Sequence, residues 1–531
     1  MAKKIFLLGV AYCLMILQTF AQVEATRTTM ETTARGYFDT YYYHKALPLY
    51  LTLDSLYPET PDYLYPISIC YLSSSNNEKA LVYIEKCLKN PELYPPTLNF
   101  YAGRCYHLLH KMDDALKYYN RYLNELKNSR KSIKKNKKEI AETDRLMDMC
   151  NNGKEMMKTP LDIEVVNMGA PINTEFPEYG AVLNATENEI IFTSCRPNTT
   201  GGGIDPFDGD FYEDVYISTR TSRGWSNPVN LGSEINTEGH DASISITPDG
   251  QELIIYRYGD NSSSGDLLIS KLEGENWTVA TKLPPQINSK GWEPSACIAG
   301  DGRLMYFASN MKGGYGGTDI YMVRQLPNGE WALPVNMGPT VNTQYNEDSP
   351  FIHPDGKTFY FSSDGHTSMG GYDIFVTQWS DSTNKWAGVT NVGYPISTAQ
   401  DDIHFTLSAD GRRLYFSSIR PDGFGNKDIY YANIDKEAAH VLVMKGVVLD
   451  SLTLAPVNAT IKVINQNTQE VVGVYNSNSS TGKYIMVLPE GSNYTIMVDS
   501  ENYQLCNDNV STIGLKDYTE MDKNIQLCPS K

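Results

Sequence analysis

The chain repeats one short phrase at a nearly constant step. It is written "YGGTDIY" at Tyr315–Tyr321, "MGGYDIF" at Met369–Phe375 and, less strictly, "FGNKDIY" at Phe424–Tyr430. The aspartate of the phrase recurs with spacings of 52, 53, 54 and 55 residues. Its positions are Asp214, Asp266, Asp319, Asp373 and Asp428. Such a period constrains the fold, because each unit must bury its apolar surface against neighbouring units.

Other marks keep the same step along the chain. Asp-Gly turns precede one strand of each unit, and a tryptophan begins a later one. The turns lie at Asp249, Asp301, Asp355 and Asp410, and the tryptophans are Trp225, Trp277, Trp331 and Trp386. Each unit therefore holds four short strands, which is typical of a β-propeller blade.

The fifth unit lacks its tryptophan-bearing strand. An unpaired strand, "LDIEVVNMG" at Leu161–Gly169, lies upstream of the first unit and ends like the other fourth strands. We expect this segment to complete the last blade and close a five-bladed WD40-like propeller over residues 159–436, since closure removes exposed sheet edges. A six-bladed ring is the alternative if the long first unit contains extra strands.

The repetition indicates what the phrase does. Glycine permits the positive φ that a tight turn needs, and the aspartate can accept backbone N–H bonds before the strand begins. A catalytic loop needs to occur only once, so we interpret the five aspartates as structural.

Two further regions flank the repeats. Residues 22–158 have a helical pattern, and Ala46, Ala80 and Ala115 are spaced by 34 and 35 residues, the period of a tetratricopeptide repeat (TPR). Residues 437–531 alternate apolar and polar residues between turns and predict a small β-sandwich. The predicted fold class is thus multidomain: helical TPR repeats, an all-β propeller and a sandwich.

The first 21 residues resemble a secretory signal. Lys3 and Lys4 precede a short apolar run, and we expect cleavage between Ala21 and Gln22. Cys13 raises the alternative of a lipid anchor, but Tyr12 stands where a lipoprotein signal needs a small residue. No other segment has the roughly 20 continuous apolar residues of a membrane helix, so we expect an exported, soluble chain.

The net charge and the cysteine content bear on which functions and which covalent links the chain can have. The formal net charge is −18 over 531 residues, which argues against nucleic-acid binding. Nine cysteines become eight after signal cleavage, and Cys506 and Cys528 are the best candidates for a disulfide. The sequence contains no CxxC pair and no cysteine–histidine spacing that indicates a zinc site.

Few residues stand out as catalytic or ligand-binding. There is no G-x-S-x-G motif, and we expect His240, His353, His366 and His404 to have packing or loop roles. The acidic loop at residues 201–214 is a weak calcium candidate through Asp205, Asp208 and Asp210, although its spacing differs from the twelve-residue calcium loop. No catalytic residue and no cofactor are predicted.

The order of these parts resembles a family of exported Bacteroidetes proteins, PorE-like and associated with type IX secretion. Its members combine TPR repeats, a WD40-like propeller, a carboxypeptidase-regulatory-like domain and usually an OmpA-like domain. The resemblance is carried by the TPR marks, by "EDSPFIHPDGKTFYFSSDGHTSMGGYDIF" (Glu347–Phe375), and by "GVVLDSLTLAPVNATIKV" in the last region. We expect no OmpA-like domain in this chain, so the resemblance does not imply direct peptidoglycan binding.

Three functions are compatible with these observations. The first is a non-enzymatic protein-binding scaffold, periplasmic and peripheral to the outer membrane or at the cell surface. The resemblance implies other envelope proteins, including outer-membrane secretion components, as its partners. The second is a glycan-binding surface module, and the third is a propeller glycoside hydrolase using paired carboxylates. The scaffold is favoured because every repeated feature builds surface and none builds a reactive centre.

Overall fold

A computed structural model describes residues 25–128, 134–258, 265–434 and 440–530. The predicted signal peptide lies outside these residues. Contacts divide the chain into one unit of residues up to 150 together with 205–209, and a second unit containing the remainder. Among the described residues, no helix has the length and apolarity needed to span a membrane.

The described residues of the N-terminal region form seven α-helices. Its best-defined amphipathic helix, α6, buries Ala115, Tyr119 and Leu123 along one face, with Asp113 in its first turn and Lys127 in its last. The bounds are α1 25–39, α2 Tyr43–Leu56, α3 Pro61–Ser73, α4 Asn77–Cys87, α5 Thr97–Leu108, α6 Met112–Lys127 and α7 Lys137–Lys158.

The predicted fold class was wrong in giving this region a TPR domain. The structure has a short helical region followed by a large all-β region of many sheets. The helices range from 11 to 22 residues, and a 3₁₀ turn at Pro91–Leu93 separates α4 from α5. Ala46, Ala80 and Ala115 are fully buried. Their spacing reflects the need for small residues where helices pack closely, a need that does not require a uniform repeat.

Most of the all-β region consists of five antiparallel sheets, numbered here in chain order. Sheet 1 contains β2 Glu178–Leu183, β3 Glu189–Ser194, β4 Asp214–Thr221, β5 Gly224–Trp225 and β6 Val229–Asn230. Sheet 2 contains β7 Asp241–Ile246, β8 Glu252–Tyr258, β9 Gly265–Glu273, β10 Asn276–Trp277 and β11 Thr281–Lys282. Sheet 3 contains β12 Ala296–Ile298, β13 Leu304–Ser309, β14 Asp319–Arg324 and β15 Val335–Asn336.

The last two sheets follow the same plan. Sheet 4 contains β16 Glu347–Ile352, β17 Thr358–Ser363, β18 Asp373–Ser380 and β19 Lys385–Asn391. Sheet 5 contains β20 Ile403–Leu407, β21 Arg413–Ser418, β22 Asp428–Asn433 and, from before the first sheet, β1 Val165–Asn167. β1 pairs antiparallel with β22, so that Val166 lies opposite Tyr431.

The five sheets form a closed, propeller-like ring. The first strand of each sheet contacts the first strands of both neighbouring sheets, and β20 of the last sheet contacts β2 of the first. Adjacent residues of the second strands, such as Tyr415 and Phe416, are both buried. These strands are covered on both faces because each sheet packs between two others.

The C-terminal domain, residues 440–530, has two four-stranded sheets with a shared core. One sheet contains β23 Val441–Asp450, β26 Lys483–Pro489, β29 Thr519–Asp522 and β30 Ile525–Leu527. The other contains β24 Thr460–Asn465, β25 Val471–Asn476, β27 Asn493–Asp499 and β28 Cys506–Ser511. Met444, Ile461 and Met486 pack in the core between them.

The C-terminal domain lies against the end of the ring where the Asp-Gly turns are. The backbone N–H of Asn476 donates to Asp249 Oδ2 at 2.9 Å, and that of Val474 donates to the Gly300 carbonyl at 3.3 Å. Ala409 packs in one apolar cluster with Val441 and Val487. We call this end of the ring the turn end, and these contacts show that the C-terminal domain covers it.

Candidate functional site

The repeated aspartates hold the sheets together. Asp214, Asp319 and Asp373 each accept a side-chain amide N–H from an asparagine of the fourth strand, at 2.6–2.7 Å. In sheet 2 the partner of Asp266 is Lys282, at 2.5 Å. Asp373 also accepts the Met369 backbone N–H at 2.7 Å. These bonds join the phrase to the outer strand, as an architectural role requires.

The glycines of the phrase have a different role from the expected one. Gly316, Gly370 and Gly425 do not have positive φ, so the expectation that they serve a tight turn was wrong. A Cβ at Gly370 would collide with Ala399 Cα, and a Cβ at Gly316 would collide with the Tyr345 carbonyl oxygen. These glycines permit the close approach of a loop belonging to the next sheet.

A second set of repeated carboxylates was missed in the sequence. Each lies at or just before the first strand of its sheet and is at most 1% exposed. Each accepts a hydroxyl from a threonine or serine four residues earlier, as Glu347 does from Thr343 at 2.7 Å. The set is Glu178, Asp241, Glu293, Glu347 and Asp402. The Thr/Ser-x₃-Asp/Glu spacing was the signal that could have revealed it.

Polar residues outside the repeat gather at the opposite end of the ring from the turn end. They lie within two residues of the buried carboxylates at the starts of the first strands, or directly precede the repeated aspartates of the third strands. Because first and third strands run in the same direction, these positions share one end. We call this group the axial mouth, and it comprises Tyr179, Glu213, His240, Asp348, His404 and Lys427.

Glu213 is the centre of one half of the axial mouth. The Tyr179 hydroxyl donates to Glu213 Oε1 at 2.5 Å, and His240 Nδ1 lies 2.9 Å from Glu213 Oε2. Burial, and secondarily the nearby Glu213 carboxylate, raises the pKa of Tyr179 well above its usual value, so its phenol stays a proton donor. The Tyr212 ring packs edge-on against His240 at 4.7 Å between centroids.

Asp348 lies in the other half of the axial mouth. It accepts hydrogen bonds from the Ser295 hydroxyl and from the Ser349 backbone N–H. Burial raises the pKa of Asp348 above its usual value, although these hydrogen bonds and the Lys427 charge oppose the change. The result is a carboxyl group that keeps its proton to a higher pH than a solvent-exposed aspartate.

His404 stacks on Tyr179, with ring centroids 5.4 Å apart, and its Nδ1 is buried without a hydrogen-bond partner. Burial, with a smaller effect of Lys427, lowers the pKa of His404 to about 3. Ser349 and His404 both have positive φ, which is strained for residues with a side chain. The strain falls at the β-bulges of two first strands.

Two aromatic residues extend the site outward. Trp292 is 40% exposed, and its Nε1 donates to the Tyr256 hydroxyl at 3.1 Å. Behind the mouth, a cavity of about 90 Å³ is lined by residues of all five sheets and reaches Ala185 and Ala409 near the turn end. The arrangement offers two carboxyl groups, donors and aromatic surface around one axis.

The remaining candidate residues lie elsewhere. His353 Nδ1 lies 3.3 Å from Asp355 Oδ2, and His366 Nε2 contacts the Val341 carbonyl at 2.8 Å. Asp205 Oδ1 accepts the Phe207 backbone N–H at 2.7 Å. Within the described ranges, no group of three or more His, Cys, Asp or Glu is arranged to hold a metal ion. The weak calcium candidate at Asp205, Asp208 and Asp210 stays a prediction.

The two candidate disulfide residues are adjacent in the C-terminal domain. Cys506 is half-buried and Cys528 is exposed, and both are free thiols in this structure. The pKa of the Cys506 thiol is raised by burial first, and then by Asp508 and by Cys528 itself. The six other described cysteines are buried, including Cys70, Cys87 and Cys105. The disulfide stays a prediction.

No family model and no curated protein matches the chain. Solved structures similar to it include a complex of BT0996 with RGII, at 10% identity and a TM-score of 0.39, covering 54% of this chain and 96% of the other. A "Glycoside hydrolase" has 10% identity, a TM-score of 0.37 and coverages of 54% and 95%. The α-L-arabinofuranosidase from Lactobacillus brevis has 11% identity, a TM-score of 0.33 and coverages of 50% and 91%. Likeness at this level carries no conclusion about activity or substrate.

Proposed function

We propose that the protein is a glycoside hydrolase with its catalytic site at the axial mouth. The observation that carries the proposal is that Glu213 and Asp348, two carboxylic acids outside both repeated sets, lie at the same end of the ring. The Lys427 charge acts on Asp348, and the Lys427 ammonium lies over the Tyr179 ring, whose hydroxyl binds Glu213. Glycoside hydrolysis uses two carboxyl groups whose environments differ, one as acid and the other as base or nucleophile.

The surroundings assign a role to each group. Asp348, whose pKa is raised, is the general acid that protonates the leaving oxygen. Glu213, held by Tyr179 and His240, is the base or nucleophile. The exposed face of Trp292 offers a surface on which a sugar ring can stack. Lys427 and the neutral His404 complete a polar wall that can bind sugar hydroxyl groups.

The test is hydrolysis of a panel of aryl glycosides and polysaccharides by the full chain. Asp348→Asn and Glu213→Gln should each lower kcat by roughly 10²–10⁴-fold. With an aryl leaving group that needs no protonation, Asp348→Asn should recover most of its rate, whereas Glu213→Gln should not. The control is Glu470→Gln, an exposed position in the C-terminal domain.

Three outcomes would refute this function. They are no hydrolysis of any substrate, activity unchanged in both variants, and carbohydrate binding without turnover. The last would support the glycan-binding module instead.

A protein-binding scaffold is the second candidate, favoured by exposed apolar residues on the outer segments of three sheets. Val229, Val279, Leu333 and Val335 lie on the outer segments of sheets 1 to 3, and Leu333 is 81% exposed. Exposed apolar patches often mark protein interfaces. Partners in the cell envelope, including secretion components, belong to this proposal. Quantitative cross-linking should recover them with the native chain and lose them when Leu333 and Val335 are changed to serine; recovery unchanged by those substitutions would refute it.

A further inference from the structure

A large cleft lies between the ring and the C-terminal domain, away from the axial mouth. Its volume is about 740 Å³, within the range of roughly 300–1,000 Å³ usual for ligand sites. Residues of sheets 1 and 2 form two sides, and the turn between β25 and β26 forms another. The Asn478 Nδ2 group donates to the Gly274 carbonyl at 2.6 Å, and the Gly274 N–H donates to Ser479 Oγ at 2.7 Å. These bonds fix the walls of the cleft.

The floor of the cleft is apolar. It consists of side chains that are only partly buried and so present hydrocarbon surface to the cleft. They are Ile217, Leu231, Ile246, Leu272, Trp277 and Ile485. Several also pack on the core shared by sheets 1 and 2, so the floor is rigid. A large apolar group on an occupant would be stabilised by burial against this floor.

The rim of the cleft is acidic. Glu189 is partly buried, and its Oε2 accepts from Asn184 Nδ2 at 3.4 Å. Glu234 and Glu275 are exposed at the edge, and Lys483 is the basic residue facing them. Burial raises the pKa of Glu189, and Lys483 opposes that change. A cation on the occupant would add a favourable interaction with these carboxylates.

We propose that this cleft binds a peptide segment of a partner protein that carries a large apolar residue flanked by lysine or arginine. The apolar residue occupies the floor beside Trp277, and the basic residues pair with Glu189, Glu234 and Glu275. Charge complementarity selects a basic peptide over an acidic one and over a neutral oligosaccharide. The proposal is independent of any reaction at the axial mouth.

The test is selection of a random phage-displayed peptide library on the full chain. Enriched sequences should contain Leu, Ile, Phe or Trp next to Lys or Arg. A synthetic peptide of the commonest sequence should bind roughly tenfold more weakly to a triple variant, Glu189→Gln, Glu234→Gln and Glu275→Gln. Binding to the control Glu470→Gln, which lies outside the cleft, should be unchanged.

Several results would overturn the proposal. One is that no peptide is enriched, and another is that the enriched peptides are acidic or lack an apolar residue. Equal weakening in the triple variant and in the control would indicate general attraction to an acidic protein. Displacement of the peptide by neutral oligosaccharides would assign the cleft to a carbohydrate. Circular dichroism of each variant establishes that folding is retained.

Discussion

Asn167 Nδ2 lies 2.7 Å from Asp428 Oδ2, joining residues 261 positions apart in the sequence. The same bond connects Asn336 with Asp319 inside sheet 3. Sheets 1, 3 and 4 each contain this hydrogen bond within one continuous stretch of sequence. In sheet 5 the same bond closes the ring, because its donor Asn167 precedes sheet 1 in the sequence and its acceptor Asp428 lies in the last sheet.

Removal of this bond should weaken the closure. Asn167→Ala leaves the buried Asp428 carboxylate without its side-chain amide donor, at a cost of about 1–3 kcal/mol. Asn336→Ala should have a similar effect on thermal stability, because it removes the equivalent bond. Hydrogen exchange should separate the two: only Asn167→Ala should accelerate exchange throughout β1 and β22.

The control is Asn328→Ala, at an exposed hairpin where the side chain contacts Glu330. Equal exchange of β1 in Asn167→Ala and Asn336→Ala would contradict a special role in closure.

The phrase glycines should be intolerant of even one added methyl group. Gly370→Ala places a Cβ against the Ala399 backbone, which cannot move as a flexible side chain can. We expect a loss of about 1–3 kcal/mol, measured by urea denaturation. Gly36→Ala is the matched control, because a Cβ there has no neighbour within 4 Å. Similar stability of the two variants would show that the contact between loops is not tight.

Stability should depend on pH through Glu347. Arg196 and Arg420 each lie 3.2 Å from the equivalent acids Glu178 and Asp402, but sheet 4 has Gly365 at that position. Burial raises the pKa of Glu347 from 4.5 to about 7, despite its hydrogen bonds to Thr343 and Ser363. The folded state therefore binds this proton more tightly than the unfolded state, and the contribution to stability is full below pH 4.5 and lost as pH rises through about 7.

Glu347→Gln cannot ionise, so it should reduce the fall in melting temperature between pH 5 and pH 8 by roughly 2–4 °C. Melting curves of the wild type, this variant and Glu470→Gln at both pH values measure the change. An undiminished fall in Glu347→Gln would show that Glu347 titrates near its ordinary pKa.

The pair of cysteines in the C-terminal domain should oxidise. Alkylation of the unfolded, unreduced protein should leave Cys506 and Cys528 unmodified, and digestion should yield one disulfide-linked peptide pair. The bridge would close a loop of 22 residues and stabilise the domain by about 2–4 kcal/mol. Cys506→Ser should melt at a lower temperature than wild type only without reductant. Full alkylation of both thiols before reduction would rule out the bridge.

The features that the sequence predicted are ones that repeat, although the buried carboxylates at the first strands also repeat and were missed. The constant step revealed the strand pattern and the structural aspartates, because the same contact recurs in successive sheets. The TPR assignment failed because small residues such as Ala80 recur wherever helices pack closely. Positive φ was the wrong reason for Gly370, since the loop that approaches it lies about 30 residues further along the chain.

The sequence did not reveal the axial mouth, because the residues of the mouth do not follow the repeat. At the position after the buried carboxylate, Tyr179 and Asp348 replace the alanine, proline and isoleucine of the other sheets. Residues that differ from the repeat can form a site only when closure of the ring brings them together. Glu213 and His240 are 27 residues apart in sequence, yet His240 Nδ1 lies 2.9 Å from Glu213 Oε2.

The C-terminal domain limits how a molecule can reach the axis of the ring. It packs on Ala185 and Ala409, which line the axial cavity at the turn end, so it covers the cavity on that side. A polymer therefore cannot pass through the ring along its axis. A molecule that binds on the axis enters and leaves through the axial mouth. Only a chain end, a side branch or a short molecule can therefore extend from the mouth along the axis.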